Sequence, residues 1–576
     1  MRNPKHAFSS LSMLAVLATA PGAAAQATGS FTTLSYNIAG LLEPFSGGDP
    51  AVNTPIISCL IRDYDLVQVQ EDFNYHAALY DRCDDHLYRS ATSGGMGVGS
   101  GLNTLSDLPY TDWGRITWNA CDGVDCLTPK GFTLVRTRLA EGVYVDVYNL
   151  HAQAETTSAA LAARRANVLQ LAAYIETNSA GNAVIVMGDT NTRYTRTGDN
   201  IRELAKRGFT DVWIQRLRGG STPLLGAPSL TACEPSATNA SCEVVDKVFY
   251  RNNGFVGLTA TEYLVEDQKF VDASGADLSD HLPVKASFGF STAPDRRLSE
   301  QWGGPHGVNF NDLALLPANP VVQTLNLRAG SRVDQVAATL SNGFVLSHGG
   351  TGGTLRTLTL ASNEFLRSVF LCSGQYNGLT RIFHARFTLS TGRTLSGGNT
   401  TGSCTTYTAP AGWQIVGFHG RSGGNVDKLG VIYAPRGTGA APGVPTYVSI
   451  VNRASGLCMD IANATMAAGS NVGQWNCNGG NWQKWHHDAV TGLIRSRHDP
   501  RFCLDNSGFF DDGANIMIWT CNGNANQRFD VDTASGVIRM RTHPTQVVDG
   551  VGTAPGGDVI TFTNWGGVNQ RWNFVP

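Results

Sequence analysis

The fold of the amino-terminal half follows from two neighbouring stretches, AALAARRANVLQLAAYI at residues 159–175 and NAVIVMGDTNTR at residues 182–193. The first stretch repeats its apolar residues with the period of a helix, and the second begins with a continuous apolar run typical of a buried strand. Strand-like and helical runs alternate in this way from about residue 30 to residue 290. Such alternation predicts a layered α/β fold for this half of the chain.

Polar residues with catalytic or metal-binding chemistry stand at the ends of several of these apolar runs. Hydrolysis of a phosphodiester needs a hard cation held by oxygen ligands, an activated water, and protonation of the leaving oxygen. Carboxylate, amide and imidazole side chains at one sheet edge supply candidates for all three. They are Asn37 in LSYNIAG, Glu71 in VQVQEDF, His151 in YNLHAQAE, Asp189 and Asn191 in VIVMGDTNTR, and Asp280 with His281 in LSDHLPV.

Each of these residues has an ordinary structural explanation when it is taken alone. Asn37 and Asp189 suit turns that follow strands, and Glu71 suits the exposed end of a strand. His281, which precedes Leu-Pro, also fits a core histidine whose ring nitrogens are hydrogen-bonded within the protein. The occurrence of five such motifs, each at a strand end, favours a shared catalytic site over five separate explanations.

Together the motifs resemble those of the endonuclease/exonuclease/phosphatase superfamily, which includes DNase I-type nucleases and neutral sphingomyelinases. The resemblance covers residues 28–291 and implies a four-layer α/β sandwich of two packed mixed sheets. It implies that Glu71 binds Mg²⁺, or another divalent cation such as Mn²⁺, with help from Asn37 and Asp280. Asp246 in VVDKVFY matches the aspartate that orients the histidine of the SDH motif.

The same resemblance implies roles for the other candidates. His281 would take a proton from a water that attacks phosphorus, while Asp189 and Asn191 would position that water and a phosphoryl oxygen. His151 would contact the phosphate or protonate the leaving group. No carboxylate partner for His151 is evident from the sequence.

Composition indicates several domains rather than one. The 576 residues exceed the usual size of a domain, and the 15% of charged residues and 65 glycines suit β-rich domains with many tight turns. The net charge of −3 gives no strong global attraction to nucleic acid or to anionic lipid.

The first 25 residues have the pattern of a secretory signal peptide, so a secreted, extracellular protein is expected. Arg2 and Lys5 precede the apolar stretch LSMLAVLATA, which is too short to span a bilayer, and no other apolar run reaches that length. Export favours disulfide formation, and the spacing of the cysteines favours local pairs. The expected pairs are Cys59–Cys83, Cys121–Cys126, Cys233–Cys242, Cys372–Cys404, Cys458–Cys477 and Cys503–Cys521.

Residues 301–434, which follow a predicted linker at 292–300, change to a Gly-, Thr- and Ser-rich composition with short alternating strands. The segments HGGTGGTLRTLTL and GRSGGNVDKLGVIYAP resemble jacalin-related lectins, whose fold is an all-β prism. In that family a Gly-x-x-x-Asp turn binds a monosaccharide, which implies a sugar site at Gly423 and Asp427. Such turns also simply close strands, so both interpretations remain open.

After a second predicted linker at 435–445, residues 446–576 contain three Gln-x-aromatic elements that recur at intervals of 44 and 43 residues. Such a repeat predicts one unit stacked three times. The pattern resembles the ricin-B type of β-trefoil lectin, in which an aspartate and an asparagine bind sugar hydroxyls and an aromatic ring stacks on the sugar. The implied binding residues are Asp460 and Trp475 in the first repeat, Asp505, Trp519, Asn526 and Gln527 in the second, and Asp549, Phe562, Asn569 and Gln570 in the third; in the first repeat Trp482 takes the asparagine position.

These features leave three classes of function open. A secreted phospholipase C acting on sphingomyelin or a related phospholipid is favoured, because NLHAQAE is similar to the histidine segment of neutral sphingomyelinases and lectin domains would hold an enzyme at glycan-coated cell surfaces. An extracellular DNase I-like nuclease and a non-enzymatic lectin or adhesin are the alternatives. The expected partners are a phosphodiester substrate, either phospholipid or nucleic acid, and glycans or glycoconjugates.

Overall fold

The computed structural model describes most of the chain as a succession of β-rich units. The predicted signal peptide at 1–25 and residues 438–445 of the second predicted linker lie outside the described residues. Within the described part, no helix is both long enough and apolar enough to cross a membrane. The described ranges are 26–41, 48–94, 99–233, 239–317, 319–437, 446–489, 491–507, 512–521, 523 and 525–576.

Two six-stranded sheets pack together in the amino-terminal part of the chain. One central pair of strands runs parallel in each sheet, and the other pairs run antiparallel. Between the sheets, the buried Nε2 of Gln70 donates to Oδ1 of Asn149 at 2.7 Å. In sheet order, the first contains Val256–Val265, Val284–Thr292, Thr28–Asn37, Leu66–Gln70, Asn103–Ser106 and Tyr88–Arg89, and the second contains Tyr110–Thr117, Gly131–Ala140, Val143–His151, Ala183–Asp189, Asp246–Arg251 and Thr210–Asp211.

Helices cover the outer faces of both sheets. Pro50–Ile61 packs Ile57 against the first sheet, and Ser158–Asn178 packs Leu171 against the second. The hydroxyl of Thr157 accepts a hydrogen bond from Ala160 N and caps the longer helix, which contains the predicted helix at 159–175. The helix–sheet–sheet–helix order confirms the predicted four-layer sandwich. The shorter helices are His76–Asp81, Arg202–Lys206 and Val212–Leu217.

Antiparallel sheets of nine and four strands form the middle part of the chain, as expected for an all-β prism. The predicted linker at 292–300 is not a free connection, because Arg297–Leu298 pairs with Val426–Pro435 and so joins the prism. The nine-stranded sheet contains Arg297–Leu298, Trp302–Gly303, Val308–Asn311, Leu366–Tyr376, Leu379–Leu389, Thr394–Gly398, Ser403–Thr408, Trp413–Ser422 and Val426–Pro435, and the other contains Val322–Ala329, Val333–Leu340, Val345–Gly349 and Thr354–Thr359.

The carboxyl-terminal part is a β-trefoil built on its three repeats. The aromatic residues of the Gln-x-aromatic elements, Trp485, Phe529 and Trp572, are buried together in one core. Its strands are Val448–Asn452, Cys458–Ile461, Ser470–Trp475, Lys484–His487, Ile494–Ser496, Phe502–Asp505, Ala514–Asn515, Met517–Thr520, Phe529–Asp532, Val537–Met540, Gln546–Gly550, Val559–Thr563 and Trp572–Val575.

All of the predicted disulfides are present. They link Cys59–Cys83, Cys121–Cys126, Cys233–Cys242, Cys372–Cys404, Cys458–Cys477 and Cys503–Cys521. The sequence separations range from 5 to 32 residues, so each bridge closes a local loop rather than joining domains.

Buried ions join the prism to the α/β sandwich. Asp112 of the sandwich accepts from Nζ of Lys428 in the last long strand of the prism, and it also accepts from Nη1 of Arg136 at 2.8 Å. At a second point Glu300 accepts from Arg138 Nε at 2.8 Å. The two units are therefore held together by a buried ion pair at Asp112 and by a partly exposed one at Glu300.

Candidate active site and sugar-binding sites

Strand register brings the candidate catalytic residues to one end of the packed sheets. In the second sheet, Asp189 lies opposite His151 on one neighbouring strand and opposite Asp246 on the other. In the first sheet, two parallel strands end side by side and place Glu71 beside Asn37. Residues far apart in the sequence thus meet where the two sheets face each other.

Asn37 connects the two sheets within this site. Its Nδ2 lies 3.1 Å from Oε1 of Glu71 and 3.1 Å from Oδ2 of Asp189. Glu71 has a positive φ of 59°, an unusual backbone conformation for a glutamate. A Cβ atom on Gly40 would lie 2.4 Å from the carbonyl oxygen of Glu71, so glycine is required for this close approach. This local strain is the kind found at functional sites.

His281 and Asp246, which the sequence predicts to act together, form a hydrogen-bonded pair. Nδ1 of His281 lies 2.8 Å from Oδ2 of Asp246, and its Nε2 lies 3.7 Å from Oδ2 of Asp189. Burial lowers the pKa of His281, but the negative charges of Asp246 and Asp189 outweigh burial and raise that pKa to about 11. His281 is therefore an imidazolium at neutral pH unless other positive charge compensates the carboxylates.

Asp189 and Asn191 lie together at the end of one strand. Oδ1 of Asp189 accepts from the backbone N of Asn191 at 2.9 Å, and Nδ2 of Asn191 donates to the carbonyl of Ala152 at 3.1 Å. Burial raises the pKa of Asp189 to about 6, against the opposing charge of His281. The turn fixes both side chains beside the backbone that follows His151.

His151 is buried between the two carboxylates of the site. Its Nε2 lies 3.3 Å from Oδ2 of Asp189 and 3.6 Å from Oε1 of Glu71. Burial lowers its pKa well below the usual value, and the charges of Lys130 and His281 act in the same direction. A neutral imidazole suits hydrogen bonding to a phosphoryl oxygen better than protonation of a leaving group.

Asp280 lies at the exposed edge of the site. The hydroxyl of the preceding Ser279 lies 2.7 Å from the carbonyl oxygen of Asn37, and it lies 3.4 Å from Oδ1 of Asp280. Ser279 thereby fastens the turn that carries both Asp280 and His281 to the strand that carries Asn37. The negative charge of Asp280 adds to the rise that burial produces in the pKa of Glu71.

Lys130 is a cation of the site that the sequence motifs do not single out. It is buried, and its Nζ lies 2.6 Å from Oδ1 of Asp125. Its positive charge lowers the pKa of Glu71, which burial raises. The lysine precedes a strand and carries no periodic signal, so only its position in space reveals it.

The donor set suits a hard divalent cation, as the sequence predicts. Glu71 presents a partly exposed carboxylate whose pKa is raised by burial, so positive charge beside it is favourable. A second group, Asp189, Asp246 and His281, brings one ligand atom each within 4.8 Å of one another. In that group Oδ2 of Asp246 is already hydrogen-bonded to Nδ1 of His281.

The three sugar sites predicted in the trefoil differ in accessibility. In the first repeat, Asp460, Trp475 and Trp482 line an open cavity of about 420 Å³. In the third, Nδ2 of Asn569 donates to Oδ1 of Asp549 at 2.7 Å, and the ring of Phe562 is exposed.

The second repeat, whose residues fit the lectin pattern best, faces the α/β sandwich. Asp505, Trp519 and Asn526 share a cavity of only about 70 Å³ with Glu176 and Arg207 of the sandwich. A cavity of that size holds a few water molecules rather than a monosaccharide. This site is closed by another domain of the same chain.

Gln527 and Gln570 are fully buried, unlike the aromatic rings of the sugar sites. Nε2 of Gln527 donates to Oδ2 of Asp505 at 3.0 Å, and Nε2 of Gln570 donates to the carbonyl of Thr563 at 3.0 Å. The two glutamines therefore shape the trefoil from within and present no atoms to a sugar.

In the prism, the Gly-x-x-x-Asp turn is folded as a compact loop. The backbone N of Gly423 donates to the carbonyl of Asn425 at 2.9 Å. Asp427 is buried, and its Oδ1 accepts from Nη1 of Arg381. A sugar that uses the carboxylate of Asp427 must share it with this guanidinium.

Models of three protein families match successive parts of the chain. Residues 54–218 match the model of Endonuclease/Exonuclease/phosphatase family 2, residues 299–432 match the Jacalin-like lectin domain, and residues 446–573 match the Ricin-type beta-trefoil lectin domain. These matches confirm the three resemblances inferred from the sequence motifs.

The chain is also similar to individual proteins. A Mycobacterium tuberculosis protein named sphingomyelinase is 37% identical over 270 residues, which cover 45% of this chain and 53% of that protein. Horcolin of Hordeum vulgare is 28% identical over 140 residues, 23% of this chain and 94% of that protein. The solved structure of ThreeFoil, a designed 3-fold symmetric protein, is 33% identical, covers 23% of this chain and 98% of its own, and has a TM-score of 0.21. The chain spans about half the length of the sphingomyelinases it matches.

Proposed function

We propose that this chain, which joins an endonuclease/exonuclease/phosphatase domain to a jacalin-like and a ricin-type lectin domain, is a secreted Mg²⁺-dependent phosphodiesterase of the phospholipase C type. The observation that carries the proposal is the convergence of Glu71, His151, Asp189 and His281 from two sheets onto one site. The 37% identity to proteins named sphingomyelinase supports sphingomyelin or a related phospholipid as the substrate. The lectin domains support targeting to glycans on cell surfaces.

Glu71, with Asn37 and Asp280, would hold Mg²⁺ or another divalent cation such as Mn²⁺. When bound there, such an ion supplies positive charge that stabilises the negative charge developing on phosphoryl and leaving oxygens. The raised pKa of the Glu71 carboxyl supports this assignment, because a carboxylate that lacks solvation gains most from a nearby cation.

His281 would take the proton from the attacking water through Nε2. Asp246 holds Nδ1 at 2.8 Å, which fixes the ring orientation and leaves Nε2 turned toward Asp189. Positive charge that offsets the nearby carboxylates would lower the pKa of His281 from about 11 toward neutrality. A general base is effective when its pKa lies in that range.

The remaining residues would position substrate and water. The carboxylate of Asp189 would accept a hydrogen bond from the attacking water, and the amide of Asn191 would contact a phosphoryl oxygen. His151, neutral and buried, would hold the phosphoryl group by a hydrogen bond from Nε2. Lys130 adds long-range positive charge to the same pocket.

One purified preparation tests the proposal against both alternatives. It is incubated with sphingomyelin liposomes and with supercoiled plasmid, each with Mg²⁺ or with EDTA. We expect release of phosphocholine that EDTA abolishes and added Mg²⁺ restores, with the plasmid left intact. Nicking of the plasmid without phosphocholine release would favour a nuclease, and glycan binding without hydrolysis of either substrate would favour a lectin or adhesin.

A further inference from the structure

Two loops of the α/β sandwich expose aliphatic side chains that nothing in the described structure covers. The exposed fractions are 74% for Val124, 79% for Leu127, 78% for Leu224 and 53% for Leu225. Single exposed apolar residues are ordinary on protein surfaces. Four of them in two short loops can act together only if the two loops lie on the same surface.

The first loop lies directly beside the active site. The disulfide Cys121–Cys126 closes it. Oδ2 of Asp125 accepts from the backbone N of Ala154 at 2.7 Å, three residues after His151. The loop is thus fixed at the mouth of the site, and Val124 and Leu127 project from it into solvent.

The second loop is attached to the segment that follows Asn191. The backbone N of Gly226, next to Leu225, donates to the carbonyl of Thr195 at 2.8 Å. This anchor lies four residues after Asn191 in the chain. Leu224 and Leu225 therefore lie in a loop that is hydrogen-bonded to the segment following Asp189 and Asn191.

Arg164 ties the supports of the two loops into one rim. Its Nη1 donates to the carbonyl of Gln153 at 2.8 Å, beside the first loop. Its Nε donates to Oδ1 of Asp199 at 3.0 Å, in the segment that supports the second loop. Arg164 is buried, and its bonds place the segments that support both loops at the same end of the sheets, where His151 and Asp189 also lie.

We propose that Val124, Leu127, Leu224 and Leu225 form a lipid-docking rim that enters the surface of a bilayer and brings the active site to the headgroups. The proposal rests on the lipid substrate class proposed above. Stable protein–protein interfaces bury about 800 Å² on each partner, whereas four such side chains offer only a few hundred Å². Separate projecting side chains suit a fluid apolar surface, which needs no matching shape.

Leu87 provides a matched control at the opposite end of the first sheet. It is 75% exposed, as much as the residues of the rim. The adjacent Tyr88 pairs with Ser106, and Ser106 pairs with Leu66 at the start of the strand whose other end precedes Glu71. Leu87 therefore matches the rim in size and exposure but lies at the end of the first sheet opposite to the active site.

Vesicle binding tests the rim independently of catalysis. Glycan-free vesicles of phosphatidylcholine and sphingomyelin are sedimented with the full chain in EDTA, so that neither lectin binding nor hydrolysis contributes. We expect Leu127→Ser combined with Leu224→Ser to weaken sedimentation at least ~10-fold, since two apolar side chains lose their burial in lipid, and Leu87→Ser to leave it unchanged. Hydrolysis of soluble bis(4-nitrophenyl) phosphate with Mg²⁺ is measured on the same preparations to detect misfolding.

Binding of the double variant equal to that of the unchanged protein would overturn the proposal, as would equal weakening by Leu87→Ser. A concentration-dependent dimer that the double variant abolishes would assign the rim to a second copy of the chain instead. Failure of the unchanged protein to hydrolyse any phosphodiester would reject the proposed function. Vesicle sedimentation would still show whether the lipid-docking rim binds a bilayer.

Discussion

At the scale of single residues, the environment rather than the residue type sets the chemistry of the two histidines. His151 and His281 both lie within 4 Å of Asp189, at 3.3 and 3.7 Å. Full burial and neighbouring positive charge keep His151 neutral, whereas the direct bond to Asp246 makes His281 strongly basic. One pocket therefore holds one neutral and one protonatable imidazole, which suits binding by the first and proton transfer by the second.

Substitution of the proposed general base or of the proposed metal ligand tests the catalytic assignment directly. We expect His281→Ala and Glu71→Ala each to lower hydrolysis of an activated phosphodiester at least ~100-fold, the scale for a general base or a main electrostatic group. Initial rates with saturating Mg²⁺ measure the effect, and circular dichroism checks the fold. Near-normal turnover by both purified variants would reject the assignment.

Asp246 is testable as the residue that positions His281. Asp246→Asn removes the largest charge that raises the pKa of His281, so NMR titration in EDTA should show that pKa well below its value in the unchanged protein. Turnover should fall at least ~100-fold because the ring loses its fixed orientation. Asp277→Asn, at an exposed position, is the control. An unchanged His281 titration would contradict the assignment.

At the scale of secondary structure, periodicity predicted the regular elements more reliably than the connections. The predicted helix at 159–175 lies within Ser158–Asn178, and the predicted strand at 182–189 contains Ala183–Asp189. The linker predicted at 292–300 instead contributes Arg297–Leu298 to the prism. Local composition indicates a flexible segment. It does not indicate which distant strand has backbone N–H and C=O groups available for pairing with that segment.

The strand Gly131–Ala140 carries a buried arginine that supports the domain junction. Arg136 donates to Asp146 at 2.7 Å and to Asp112 at 2.8 Å. We expect Arg136→Met to destabilise the protein by about 3–5 kcal/mol, because the buried Asp146 loses the guanidinium that it pairs with and Asp112 keeps only its other cations, among them Lys428. Guanidinium unfolding followed by tryptophan fluorescence measures the change.

Arg138→Met, two residues along the same strand, is the matched control. Its side chain is 37% exposed and pairs with Glu300, so we expect a loss of at most ~1 kcal/mol. Equal effects of the two substitutions would show that the buried network does not hold the domains together.

At the scale of the whole molecule, domain packing decides which of the predicted sugar sites are accessible. The second repeat of the trefoil has the most complete set of predicted sugar-binding residues, yet Glu176 and Arg207 of the sandwich close it. The first repeat lacks the expected asparagine, yet its cavity of about 420 Å³ is open. The repeat with the best match to the lectin pattern is therefore the least accessible, whereas a repeat with a poorer match is open.

Aromatic substitutions in the three repeats separate these two properties. We expect Trp475→Ala and Phe562→Ala each to weaken glycan binding by the full chain about 10-fold or more, since each removes an accessible stacking surface. Trp519→Ala in the closed second repeat should have little effect. Titration calorimetry with a glycan selected on an array measures all three, and a dominant effect of Trp519→Ala would show that the second site opens in solution.

The sequence by itself predicted the three folds and the candidate residues around Asp189, because strand-end motifs, repeat length and resemblance to known families are all visible in the order of residues, and the spacing of the cysteines favoured the disulfide pairs that the structure contains. Tertiary structure alone decided the opposite pKa shifts of His151 and His281, the approach of the Lys130 charge to the site, and the closure of the Asp505 site. Burial and charge–charge interactions depend on distances between residues far apart in the chain, and only the packed molecule sets those distances.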